Sequence, residues 1–224
     1  MATKKKETKT LRDVALGFAE ADVTAMIADI ADSLTRRHSF ESAGGTVLTG
    51  GSSWDKAVQQ VNKSQVAVAR LFLALGITPS SVFERRVVEN KMFNAKAIKK
   101  IVEIANYVSG IGQRMERVTR GFVACALIAS DKEPGVPVTN ALNQKFLGSK
   151  DLGAYIKDPD ILDNIDALRH KSMSTGAETQ SSQARNVLDV LGLGVITGVD
   201  RARDAIKVHL DAPFYAMFRK DFMV

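Results

Sequence analysis

FERRVVENKMFNAKAIKKIVEIANYVSGIGQRMERVTRGFVACALIA, residues 83–129, is the stretch on which the fold turns. Steps of four and three along it meet Phe83, Val87, Asn90, Asn94, Ala97, Ile101, Ile104, Val108, Ile111, Met115, Val118, Phe122, Cys125 and Ala129. Nearly every stop is apolar, the period of one helix face. Ser81 followed by Glu84 reads as a capping box at its start. One unbroken helix would reach about 70 Å at roughly 1.5 Å per residue, too long for an ordinary domain. Ser109-Gly110-Ile111-Gly112 is the expected break, because glycine costs about 1 kcal/mol in a helix interior. The reading is two or three helices sharing one buried seam.

Leu11 to Arg37 reads as two helices with a bend near Ala21 and Asp22 as the second cap. The first is short and amphipathic, and a helix under about 12 residues rarely persists alone in water. It must dock on its own body or on a neighbour. Trp54, Val58, Val61, Val68, Phe72 and Leu75 mark one further helix, capped by Ser52 or Ser53 and stopped by Gly76. Thr78-Pro79 opens the turn into the central seam.

Pro134, Gly135 and Pro137 make the 131–138 segment the expected boundary between two halves. Beyond it, helices are expected over 139–147, 151–156, 159–173, 179–191 and 200–210, with Gly192 as a stop. The C-terminal PFYAMFRKDFMV is amphipathic and reads as a core-packing tail. The expected class is therefore all-α.

The 224 residues carry 31 Lys and Arg against 25 Asp and Glu, a net charge of +6 that favours a polyanionic partner only weakly. Arg85, Lys96, Lys99, Arg114 and Arg117 fall on one side if the helical register holds. The bland reading is a solvated face with i,i+4 pairs; the functional one is a wall that tracks phosphates. The lysine-rich start, residues 1–9, reads as a solvated tail.

Several chemistries lack their residues. Gly45 and Gly50 are spaced as in a phosphate-binding loop, but Gly51 stands where the essential lysine belongs. Asp158, Asp160, Asp163 and Asp166 lack the glycine and terminal glutamate of a calcium loop; the helix dipole explains acidic residues there. His38, His170 and His209 are not at ligand spacing. The single cysteine, Cys125, excludes a disulfide framework and reads as a small core residue. No apolar run reaches the roughly 18 residues of a membrane span. A non-enzyme with no metal and no cofactor is expected. Gln183 and Arg185 would be exposed readers if 180–191 were a DNA-recognition helix, but no helix-turn-helix partner precedes them.

Several strings, in order, resemble the nucleocapsid proteins of phleboviruses and tenuiviruses. VALGFAEADV, with Val14, Phe18 and Val23, is similar to the family's N-terminal arm helix. GGSSWDKA, with Gly50, Gly51, Trp54 and Lys56, resembles the opening of an N-lobe helix. KMFNAKAIKKIVEIANY, with Lys91, Met92 and Lys96, resembles a basic helix start. ERVTRGFVACALI, with Arg117, Val118 and Cys125, and PVTN, Pro137–Asn140, complete the series. Order and spacing agree over residues 11–140. The family's basic residues after the Trp helix are not matched, since that segment reads LGITPSS; Arg85 and Arg86 follow it.

The resemblance implies two helical lobes around a basic cleft, with a helical arm: arm 1–36, N-lobe 37–130 and C-lobe 131–224. It implies a viral nucleoprotein that encapsidates single-stranded RNA without sequence preference, in the virion and host cytoplasm. Its partners would be RNA, further copies of itself and a viral polymerase. The implied RNA contacts are Lys91, Lys96, Arg114, Arg117, Arg85 and Arg86. The implied arm-exchange residues are Leu11, Val14 and Phe18. The competing reading is a helical self-assembling scaffold or virion component without nucleic-acid binding.

Overall fold

The computed structural model describes residues 9–43, 53–88, 91–92, 94–110, 115, 117–139, 152–162, 175–197 and 205–224. Its helices are α1 (Leu11–Leu16), α2 (Glu20–Ala43), α3 (Ser53–Lys63), α4 (Gln65–Leu75), α5 (Pro79–Phe83), α6 (Ala95–Ser109), α7 (Arg117–Lys132), α8 (Pro159–Leu162), α9 (Thr175–Val190) and α10 (Pro213–Phe222). Two antiparallel hairpins join them, β1 (Arg86–Val88) with β2 (Lys91–Met92) and β3 (Gly194–Thr197) with β4 (Ala205–Val208). The protein is mainly helical, in keeping with the expected class, and two small two-stranded sheets accompany the helices.

Helix α6 is the hub. It packs against α1, α3, α4 and α9, and Ile98, Ile101, Ile104 and Val108 are almost wholly buried. Each such side chain contributes about 1.5–3 kcal/mol when withdrawn from water. Asn94 starts the helix by accepting from the Lys96 amide at 2.8 Å. Gly110 ends it at φ 66°, with its amide returned to Asn106 and Tyr107. The expected break at Ser109–Gly112 therefore falls at Gly110.

The continuous seam before α6 does not form. Helix α5 stops at Phe83, and the Arg86–Met92 hairpin replaces the helix expected there. Ser81 is not a cap: Thr78 precedes Pro79 at the first helical position, and the Ser81 hydroxyl donates to the Thr78 carbonyl at 2.7 Å. Glu84 turns instead to α2, accepting from Ser33 Oγ at 2.6 Å and Arg36 Nη2 at 2.9 Å.

Elsewhere the boundaries shift. The α1–α2 break lies at Gly17–Ala19, and Thr10 with Asp13 forms a capping box on α1. Ser64 divides the single helix expected after Trp54 into α3 and α4. Of the expected 200–210 helix, residues 205–208 form β4, where Ile206 and Val208 are buried and Lys207 is exposed, the alternation of a strand. Residues 140–147 and most of 159–173 lie outside the described residues.

The 131–138 segment contains a turn with Gly135 at φ 81°. Immediately after it, Val138 exchanges two backbone hydrogen bonds with Ile206, at 2.7 and 3.0 Å. One buried cluster runs from Leu11 through Cys125 to Phe218 and Met223, so both halves of the chain contribute to the same core. The aromatic tail packs into it as expected, with Phe214, Tyr215 and Phe218 fully buried.

Candidate nucleic-acid interface

The basic residues singled out in sequence begin where α5 ends. Arg85 is exposed, and its guanidinium pairs with Asp189 of α9 at 2.7 Å. Asp189 also accepts the Ile196 amide at 3.3 Å, so this carboxylate ties α9 to both β3 and the residue preceding β1. An exposed pair of this kind contributes at most about 1 kcal/mol. Arg86 and Lys91 lie in β1 and β2, in a register that pairs Arg86 with Met92 and Val88 with Lys91. Their side chains, and that of Arg117, are outside the described residues, as is Arg114 altogether.

Lys96 is exposed in the first turn of α6. One turn further, Lys100 is only 2% exposed. Its ammonium donates to Thr119 Oγ1 at 3.0 Å, and that hydroxyl donates to Glu103 Oε2 at 2.8 Å. Thr119 sits two residues beyond Arg117, the first residue of α7. The contact thus draws the start of α7 against α6, one turn from Lys96. Arg117 precedes Thr119 by two residues on α7, and Lys96 precedes Lys100 by four on α6.

Of the five cations, Arg85, Lys96, Lys99 and Arg117 do not lie on one continuous helix. The hairpin interrupts the register before α6, and Gly110 interrupts it after. The basic residues instead occupy separate places: the hairpin, the first turn of α6 and the start of α7. Lys100 was not among the residues singled out, although its i+4 relation to Lys96 places it on the same strip of α6.

Other cations are engaged internally. Arg37 is buried, pairs with Glu41 at 3.0 Å and lies 4.3 Å from the centre of the Trp54 ring. Burial lowers the pKa of its guanidinium, and Glu41 partly restores it. Arg120 pairs with Asp158 at 2.9 Å with both side chains 5% exposed, which assigns the first aspartate of the acidic run a structural partner. Asp163 and Asp166 lie outside the described residues. Gln183 and Arg185 are buried, at 5% and 0% exposure, so α9 does not present them as base readers.

The α1 helix is seated on its own chain. Leu11 and Ala15 are buried, while Val14 is 36% exposed and Phe18 packs partly against the core. Arg12 donates to the Tyr107 and Val108 carbonyls at 3.1 and 3.2 Å, satisfying the C-terminal end of α6. Arg70 does the same for α1, donating to the Ala15 and Leu16 carbonyls.

Among the described residues no cluster of three or more His, Cys, Asp or Glu could hold a metal, and no helix is long and apolar enough to cross a membrane. Burial pushes the Cys125 thiol up to about 12, consistent with an inert core position. The loop with the glycine spacing of a phosphate-binding motif, residues 44–52, lies outside the described residues. Compared with protein-family models, with curated proteins and with solved structures, the chain has no match.

Proposed function

We propose that the chain is a nucleoprotein of the phlebovirus and tenuivirus type, which coats single-stranded RNA without reading its sequence. The observation that carries the reading is the approach of α7 to α6 through Lys100 and Thr119. On this reading Arg117, two residues before Thr119, and Lys96, four residues before Lys100, line one track. Phosphate contact without base readout requires cations held by a rigid framework along one track. The hairpin with Arg86 and Lys91 precedes that track, and the net charge of +6 suits it. The collinear strings over 11–140 add to the reading. On this reading the chain is not an enzyme. Its cleft lies between lobes 37–130 and 131–224, and a viral polymerase is its further partner in the virion and host cytoplasm.

Self-assembly through residues 1–36 completes the proposal. A short helix seated through two buried residues, Leu11 and Ala15, can take the same seat on a second copy. Such a head-to-tail contact makes rings or open filaments.

The test is a filter-binding titration of unrelated single-stranded RNAs with the Lys91→Ala, Arg117→Ala double variant. Affinity should fall by a similar factor for every sequence, and the dependence of log affinity on log salt should flatten by about one per lost phosphate contact. An unchanged affinity and slope would remove these residues from the interface. Exposed Val14 and Leu16 also suit a scaffold that assembles without RNA. That alternative expects no salt-sensitive RNA binding at all.

A further inference from the structure

Beside the seat of α1 lies an open cavity of about 530 Å³, bounded by α1, the end of α6, α7, the residues leading into α8, and α10. Its volume is in the range of small-ligand sites. None of the proposed RNA-contact residues lines it.

The charges around it do not cancel. Arg120 and Asp158 form the buried pair at 2.9 Å. Asp221 accepts the Tyr107 hydroxyl at 2.6 Å and lies 3.7 Å from Arg12. Lys157 is exposed, and its ammonium donates to the Lys220 carbonyl at 2.8 Å. Arg12 likewise donates to carbonyls. A carbonyl accepts a hydrogen bond without neutralising a charge, so among the described residues lining the cavity three cations face two carboxylates. Phe222 supplies an apolar wall, fixed by ring contacts to Phe218 at 4.6 Å and Tyr107 at 5.4 Å between centroids.

Cations at a cavity with an aromatic wall suit a ligand that joins an anion to a flat ring. We propose that this cavity binds a nucleotide through a terminal phosphate monoester, the phosphate meeting Lys157 and Arg12 and the base lying against Phe222. The ligand's source is either a free nucleoside monophosphate or the 5′ end of an RNA. The inference stands apart from the RNA-coating reading.

The experiment is calorimetry of the full chain with AMP and with adenosine at fixed ionic strength, for the wild type and Lys157→Gln. Lys157 is exposed, so the variant should unfold at the wild-type temperature. AMP should bind the wild type at least about tenfold more tightly than adenosine, and the variant should lose most of that preference, as loss of a charge-assisted bond to phosphate requires. No AMP binding, equal affinity for AMP and adenosine, or an unaltered preference in Lys157→Gln would overturn the proposal. Competition between AMP and short RNAs with 5′-phosphate or 5′-hydroxyl ends then identifies the source. Displacement of AMP by the phosphorylated RNA alone assigns the RNA end, and failure of both RNAs to displace it assigns the free nucleotide. Loss of RNA coating with AMP binding retained would remove the coating reading and leave the cavity assignment standing.

Discussion

The Lys100 ammonium on α6 donates to the Thr119 hydroxyl on α7 at 3.0 Å, a buried polar contact between the two helices. The same hydroxyl donates to the half-buried Glu103, so it serves two polar groups at once. Thr119→Val keeps the shape and removes both bonds. The expected loss is about 1–3 kcal/mol, the net worth of two hydrogen bonds. Urea denaturation should show a lower midpoint with an unchanged slope; an unchanged midpoint would mean that the hydroxyl does not hold the helices.

Glu84 gives a pH-dependent prediction. Hydrogen bonds from Arg36, and then from Ser33, hold its carboxyl below its ordinary 4.5. A folded-state pKa below the unfolded one adds stability above the unfolded value, and that stability is lost as pH falls through the folded value. Wild type should therefore exceed Glu84→Gln in stability at neutral pH. The difference should disappear on acidification below 4.5. Thermal melts across that range check it, and a difference that persists in acid would contradict the assignment.

Gly194 pairs with Val208 at the start of the second hairpin. A Cβ there would lie 2.9 Å from both Ile206 Cδ1 and the Lys207 carbonyl oxygen. Gly194→Ala should destabilise by about 1–3 kcal/mol, the range for overpacking a filled site. Val195 beside it is 48% exposed, and Val195→Ala is the control with a smaller expected effect. Chemical denaturation of the two variants decides between them.

The three arm residues are not equivalent. Leu11 is 2% exposed and Val14 is 36% exposed. If α1 takes the same seat on a neighbouring copy, Leu11→Asp should dissociate the assembly, as should removal of residues 1–21. Val14→Asp should leave its mass nearly unchanged. Light scattering, with circular dichroism to confirm the fold, reads the outcome. An intact oligomer after removal of residues 1–21 would defeat the arm proposal.

The sequence made the α6 helix legible because Ala97, Ile101, Ile104 and Val108 repeat at helical spacing and Gly110 stops it. Gly76, Gly192 and Pro79 punctuated other helices in the same local way. The hairpins were not legible. Val87 fits the helical count as well as a strand, and β4 is only four residues long. Its pairing with β3 is a contact between separate segments that no local pattern records. The site was legible as a set of cations and not as a geometry. Arg85 has its partner 104 residues away at Asp189, and Lys100 has its partner 19 residues away at Thr119, on the next helix.

The most direct test of the nucleoprotein reading is the ultraviolet absorbance of the native protein purified from a nuclease-rich host, with its mass by light scattering. The account predicts a nucleic-acid-like absorbance ratio on a multimeric particle, abolished by ribonuclease and untouched by deoxyribonuclease. A protein-like ratio on an ordered oligomer would contradict it and leave a scaffold.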